Sequence, residues 1–164
     1  MSDSALMEKF EQEVWSKVPH REEKDGIAQI VNATPLIDLT DDLKECAKTV
    51  YDVDISDKDF KIYGKFDNTL PTGSIKVRPA ANIIHDAITT GKISSGTTVI
   101  EATSGNFGIA LGLLSKIGVT AIALVSRKLQ EGVFKELRNG NIRIMDLDMD
   151  ICPAPGMEDK QDML

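Results

Sequence analysis

Cysteine, histidine and positive charge are all scarce in this chain, and each scarcity excludes something. Its 164 residues carry two cysteines, Cys46 and Cys152, far apart and in no C-x-x-C pair. That excludes a disulfide framework and a thiol redox motif, and it suits a reduced, cytoplasmic protein. The two histidines, His20 and His85, leave no zinc-ligand spacing, so no metal site is expected. Lysine and arginine number 19 against 26 acidic residues, a net charge of −7, which argues against a basic nucleic-acid-binding surface. The longest apolar run, residues 117–125, is far too short to span a bilayer. Residues 1–25 are charged throughout and lack the apolar centre of a secretory leader. Neither nucleic acid nor membrane is therefore expected as a partner.

What is present is globular. Hydrophobic residues make up 41% and charged residues 27% of the chain, enough for a core, and the length suits one domain. Leu6, Phe10, Val14 and Val18 recur four apart, the signature of one helical face over residues 5–18. Residues 19–26 (PHREEKDG) read as a polar connector. An extended segment follows at 32–39, then a helix over 41–50 with Asp41 and Asp42 favouring its first turn, then a short strand at 61–66. From residue 74 the rhythm is regular. Helices are expected at 74–90, 105–116 and 127–138, and strands at 97–102, 119–125 and 142–147. Gly91 and Gly118 suit helix ends, and Pro79 is tolerable in a first turn. This alternation implies βαβ units: an α/β fold with an open, mainly parallel sheet and helices on both faces. Asp146, Asp148 and Asp150 alternate as a calcium loop begins, but Ile151 stands where that motif wants glycine. A solvated strand exit is the better reading.

Two constellations carry chemistry. The first is Pro71–Thr72–Gly73–Ser74–Ile75–Lys76–Val77–Arg78, a turn-forming run that puts Lys76 in a helix's first turn. A lysine is mildly unfavourable there, because the helix N-terminus is itself partly positive. A local rule broken at one point is where a functional site is expected, although a solvated surface lysine is the plain alternative. Partial desolvation would favour the neutral amine, which attacks carbonyl carbon, the chemistry of Schiff-base lysines and pyridoxal phosphate enzymes. The second is Thr103–Ser104–Gly105–Asn106–Phe107–Gly108, between a strand and a helix. Its free N–H groups and hydroxyls can hold an anion, while Asn106 both donates and accepts. For Thr103–Ser104–Gly105 alone, an ordinary helix cap is the better reading. The spacing matches neither a dinucleotide fingerprint nor a P-loop.

Taken together, these stretches resemble the N-terminal half of the cysteine synthase-like pyridoxal-phosphate enzymes (fold type II, the tryptophan synthase β family). Asn32–Ala33–Thr34–Pro35–Leu36 resembles the family's N-x-T-P-L. Gly73–Ser74–Ile75–Lys76 resembles its G-S-x-K, and Gly96–Thr97–Thr98–Val99–Ile100–Glu101 is similar to its second strand. Thr103–Ser104–Gly105–Asn106–Phe107–Gly108 resembles its T-S-G-N-x-G loop. The four fall in the family's order and span roughly residues 30–150.

The resemblance implies pyridoxal 5'-phosphate as cofactor, held by Lys76 as an internal aldimine, with Asn106 on the ring hydroxyl. It implies that Thr103, Ser104, Gly105 and Phe107 close on the carboxylate of a small amino-acid substrate. The usual reaction would be β-replacement or β-elimination on a serine- or cysteine-type amino acid, through an aminoacrylate. Val77 after the lysine replaces the family's usual aspartate, which points to a divergent subgroup. The family fold has two domains, and the loop that grips the phosphate belongs to a half without counterpart here. The expected organisation is an N-terminal helix and connector (1–30), the α/β region (31–150) and a truncated loop or tail (151–164). The chain is then a truncated or split piece, partnered by a complementary C-terminal half or as a homodimer whose interface the helix at 5–18 covers. Two other readings stay open: a non-catalytic remnant used as an interaction module, and an aldolase-like lysine enzyme without the cofactor.

Overall fold

In the computed structural model, residues 2–103, 105–126 and 129–147 are described. Helix α1 (Asp3–Glu13) starts where the Ser2 hydroxyl accepts the Ala5 N–H at 3.3 Å. It gives way to one 3₁₀ turn, Trp15–Lys17. Leu6, Phe10, Val14 and Val18 are all buried, as the four-residue spacing predicts, and α1 packs against α3 (Val77–Thr89). The stripe is thus spent inside the chain's own core. The Trp15 ring lies 4.4 Å from that of His20 and 4.6 Å from that of His85, stacked on the latter.

The polar stretch 19–26 is most of a hairpin, not a connector. Strands β1 (His20–Lys24) and β2 (Ile27–Val31) pair antiparallel across Asp25–Gly26. Both turn residues have positive φ, 54° and 76°, as a two-residue hairpin turn requires. Apart from buried His20, the strands are exposed or nearly so on both faces, and they carry no apolar alternation to betray them. Next, β3 (Leu36–Asp38) pairs antiparallel with β4 (Tyr63–Lys65), with α2 (Thr40–Tyr51) between them in sequence.

The second half follows the expected βα rhythm. Helix α3 presents Val77, Ala80, Ala81, Ile84 and Ile88 to the core, and Gly91 just beyond it has φ +70°. Pro79 is its third residue, where no intrahelical bond is lost. Strands β5 (Thr98–Ala102), β6 (Thr120–Ser126) and β7 (Arg143–Leu147) form a parallel sheet in that order. The single helix expected at 105–116 is two short ones, α4 (Asn106–Ala110) and α5 (Leu113–Lys116). Glycine weakens a helix, and here Gly112 sits where a β-carbon would lie 3.2 Å from Gly140 Cα, just past α6 (Glu131–Asn139).

Register divides the sheet into two faces. Ala121, Ala123 and Val125 of β6 are buried in one core with α1, α3, α5 and α6. On the other face Ile100 is 59% and Met145 51% exposed. The α/β fold with a parallel sheet stands as expected. Among the described residues the helical layer lies on one face, and the second layer that would complete a three-layer sandwich is not there. Nor, among the described residues, is any helix long and apolar enough to cross a membrane.

Candidate active site

The segment that carries Lys76 is built by a succession of tight turns. Gly73 N–H donates to Leu70 O at 2.8 Å, closing a turn with Pro71 in its second position and Gly73, φ +68°, in its fourth. Val77 N–H then donates to Ser74 O and Arg78 N–H to Ile75 O, before Ala80 N–H to Lys76 O starts the α-helical ladder. Lys76 is therefore the residue just before α3, with φ −66° and ψ −17°, and not inside its first turn. The Ser74 hydroxyl accepts its N–H at 3.3 Å. Its side chain is exposed, not partly desolvated, and its amine makes no hydrogen bond or ion pair among the described residues.

The second loop leaves the carboxyl end of β5. Thr103 is buried, and its hydroxyl oxygen accepts from Gly108 N–H at 2.9 Å and Gly105 N–H at 3.4 Å. It caps α4 from beneath and keeps its own proton for donation. Gly105 stands at φ +158°, ψ −110°, a conformation that side chains disfavour. Asn106 opens α4 with an exposed amide that has no partner among the described residues. Phe107 is half-buried against the core. Ser104 lies outside the described residues, as do Asp148, Asp150 and the tail 151–164.

Helices α3 and α4 pack against each other, so the two loops open neighbouring elements. The result is an amine and an amide, both unpartnered among the described residues, at the starts of these two helices. That donor set suits the reactive edge of a pyridoxal ring: an amine for the aldehyde carbon, and an amide for the hydroxyl beside it.

Beside Lys76 lies an arrangement that no local pattern foretells. The Arg78 guanidinium donates through Nη2 to Asp67 Oδ1 at 2.6 Å and to Thr34 Oγ1 at 3.1 Å. The Thr34 hydroxyl donates to the same Asp67 oxygen at 2.8 Å. Arg78, then Thr34, hold the Asp67 carboxyl below the usual carboxylate range. Thr34 and Arg78 stand within the motifs quoted above. Asp67 lies in none of them, and no spacing rule would have joined all three.

An open parallel sheet with polar loops at its helix starts places the molecule among the α/β proteins that bind ligands beyond the carboxyl ends of their strands. More particularly, the chain belongs to the family described as pyridoxal-phosphate dependent enzymes, whose profile matches residues 27–151. It is similar to a cysteine synthase of Aquifex aeolicus, 38% identical over 96 residues, 58% of this chain and 27% of that protein. It is also similar to an N-(2-amino-2-carboxyethyl)-L-glutamate synthase of Ralstonia nicotianae, 34% identical over 114 residues, 69% of this chain and 30% of that one. Among solved structures, an O-acetylserine-dependent cystathionine β-synthase of Helicobacter pylori matches at 30% identity and TM-score 0.56, covering 70% of this chain and 34% of that one. The matched stretches are 27% and 30% of the curated relatives' own lengths, so this chain spans under a third of each.

Proposed function

We propose that this chain supplies the lysine-bearing part of a pyridoxal-phosphate-dependent active site. The reaction is β-replacement or β-elimination on a serine- or cysteine-type amino acid, completed with a complementary C-terminal half. The observation that carries this reading is that α3 and α4 pack against each other, with the Lys76 amine at the start of one and the Asn106 amide at the start of the other, both without a partner among the described residues. When bound, the cofactor supplies an electron sink for charge developing at the substrate's α-carbon. The chain's own residues do the rest. Lys76 would hold the cofactor at its aldehyde carbon through Nζ, and the same amine would take the proton from the substrate's α-carbon. Asn106 would orient the ring by a hydrogen bond at its hydroxyl. The remaining Thr103 proton, Ser104 and the N–H groups of Asn106 and Phe107 take the substrate carboxylate, with Gly105 letting the backbone close on it. A small amino acid and a complementary half or second copy are the partners this implies.

The test is covalent mapping. The purified chain, alone and with the remaining two-thirds of a cysteine synthase relative, is incubated with pyridoxal phosphate and reduced with borohydride. Amine and aldehyde condense with loss of water, and the hydride fixes the bond. A pyridoxyl group on Lys76, absent from Lys76→Ala, is expected; no label on Lys76 in either sample overturns the reading.

One observation favours a second reading, the non-catalytic interaction module: the open sheet face at Ile100 and Met145. A chain that binds a protein partner through that face, and takes no label at Lys76, would be this module.

A further inference from the structure

The segment from Asp67 to Arg78 is a loop whose two ends are stapled together. It contains the 3₁₀ turn Asp67–Thr69, the Leu70–Gly73 turn and Lys76. The ion pair between Asp67 and Arg78, residues eleven apart, closes it at 2.6 Å. Thr34, only 7% exposed, bonds both partners and so pins the staple to the segment leading into β3. Lys65, just before the loop, donates to Thr34 O, and Phe66 N–H donates to Pro35 O at 3.0 Å, so the pinning strand is itself fixed at two points.

Stability is not the whole account of this arrangement. The Arg78 Nε proton is buried and has no partner among the described residues, and a buried unsatisfied donor carries a desolvation penalty. An ion pair in such a place is weak evidence for net stabilisation, and an apolar contact could fill the same space without the orphan. What the triangle does supply is geometry. It fixes both ends of the loop, and Lys76 sits two residues from one of them. An exposed amine on a long flexible stem gains useful direction only if its backbone is held.

We infer that Thr34, Asp67 and Arg78 are positioning residues for the Lys76 amine, acting through the closed loop and not by touching the cofactor. This rests on the reading of Lys76 as the cofactor lysine. The variants are Thr34→Val, which keeps the shape and removes the hydroxyl, Thr34→Ser, which restores the hydroxyl, and Asp67→Asn. Each intact chain is labelled with pyridoxal phosphate and borohydride, and label at Lys76 is measured relative to the other lysines. In parallel, amide hydrogen exchange is followed over residues 71–78 and over the core positions 80–88. Thr34→Val and Asp67→Asn should lower the relative label at Lys76 roughly tenfold and speed exchange at 71–78, leaving 80–88 protected. Thr34→Ser should restore both. Wild-type label and exchange in Thr34→Val overturn the positioning role, as does exchange that rises equally across the core. A wild-type chain that does not label Lys76 preferentially overturns the cofactor reading instead, and the exchange data still decide whether the triangle holds the loop.

Discussion

At Gly108 an ideal β-carbon would fall 2.5 Å from Thr103 Cγ2 and 3.1 Å from Leu137 Cδ2. Thr103 is β-branched and buried and already accepts two N–H groups, so it has no alternative rotamer that keeps those bonds. Gly108→Ala would gain about 1 kcal/mol of helix propensity but lose about 1–3 kcal/mol to overpacking. The urea midpoint should therefore fall; a higher midpoint would show that the loop can shift. Asp38 gives a second residue-scale prediction. The Thr40 hydroxyl and N–H, then Lys61, hold its carboxyl down to about 2 from an ordinary 3.8. Because the folded value is the lower one, this stabilisation is complete above about 3.8 and is lost as pH falls towards 2. The difference in urea midpoint between wild type and Asp38→Asn should be constant from pH 5 upwards and should vanish across that window. At this scale the sequence was partly legible. Lys76 drew notice as a lysine expected in a helix's first turn, and the fold puts it just before that helix instead. The triangle beside it was not legible, because residues 34, 67 and 78 meet only once the chain has folded.

Elements were legible where one face is buried and obscure where neither is. Helices α1 and α3 each announce themselves through apolar stripes that the core then covers completely. Apart from His20 the β1–β2 hairpin has no buried face, so only its Asp25–Gly26 turn could have revealed it. The α4–α5 break was hidden for a different reason: the contact between Gly112 and Gly140 is made across the fold and has no local trace. The depth to which α1 is buried carries its own prediction. Phe10 is fully buried and packs against Trp15 and His85. Phe10→Ala should cost about 3–5 kcal/mol, a large part of the roughly 5–15 kcal/mol typical of a domain. Chemical unfolding measures this directly. A loss under 1 kcal/mol would mean that α1 is an accessory to the core and not a component of it.

For the molecule as a whole, the parallel βα rhythm was readable from residue 74 onwards, and the family followed from four motifs in order. What the sequence did not reveal is the asymmetry of the sheet. Apolar strands look alike whether helices cover one face or two, so Ile100 and Met145 read as core until their exposure is seen. The opposite face is unified by a core that runs from Leu6 to Ile142 and takes in both ends of the described chain. Trp15 sits at the seam of that core, its indole against the imidazoles of His20 from the hairpin and His85 from α3. It is also the only tryptophan in the sequence. Its fluorescence is thus a built-in gauge: emission from one fluorophore, damped by two imidazole neighbours, should brighten and shift to the red when α1 and the hairpin leave α3. The docking of the N-terminal third can be followed by light alone, with no label attached.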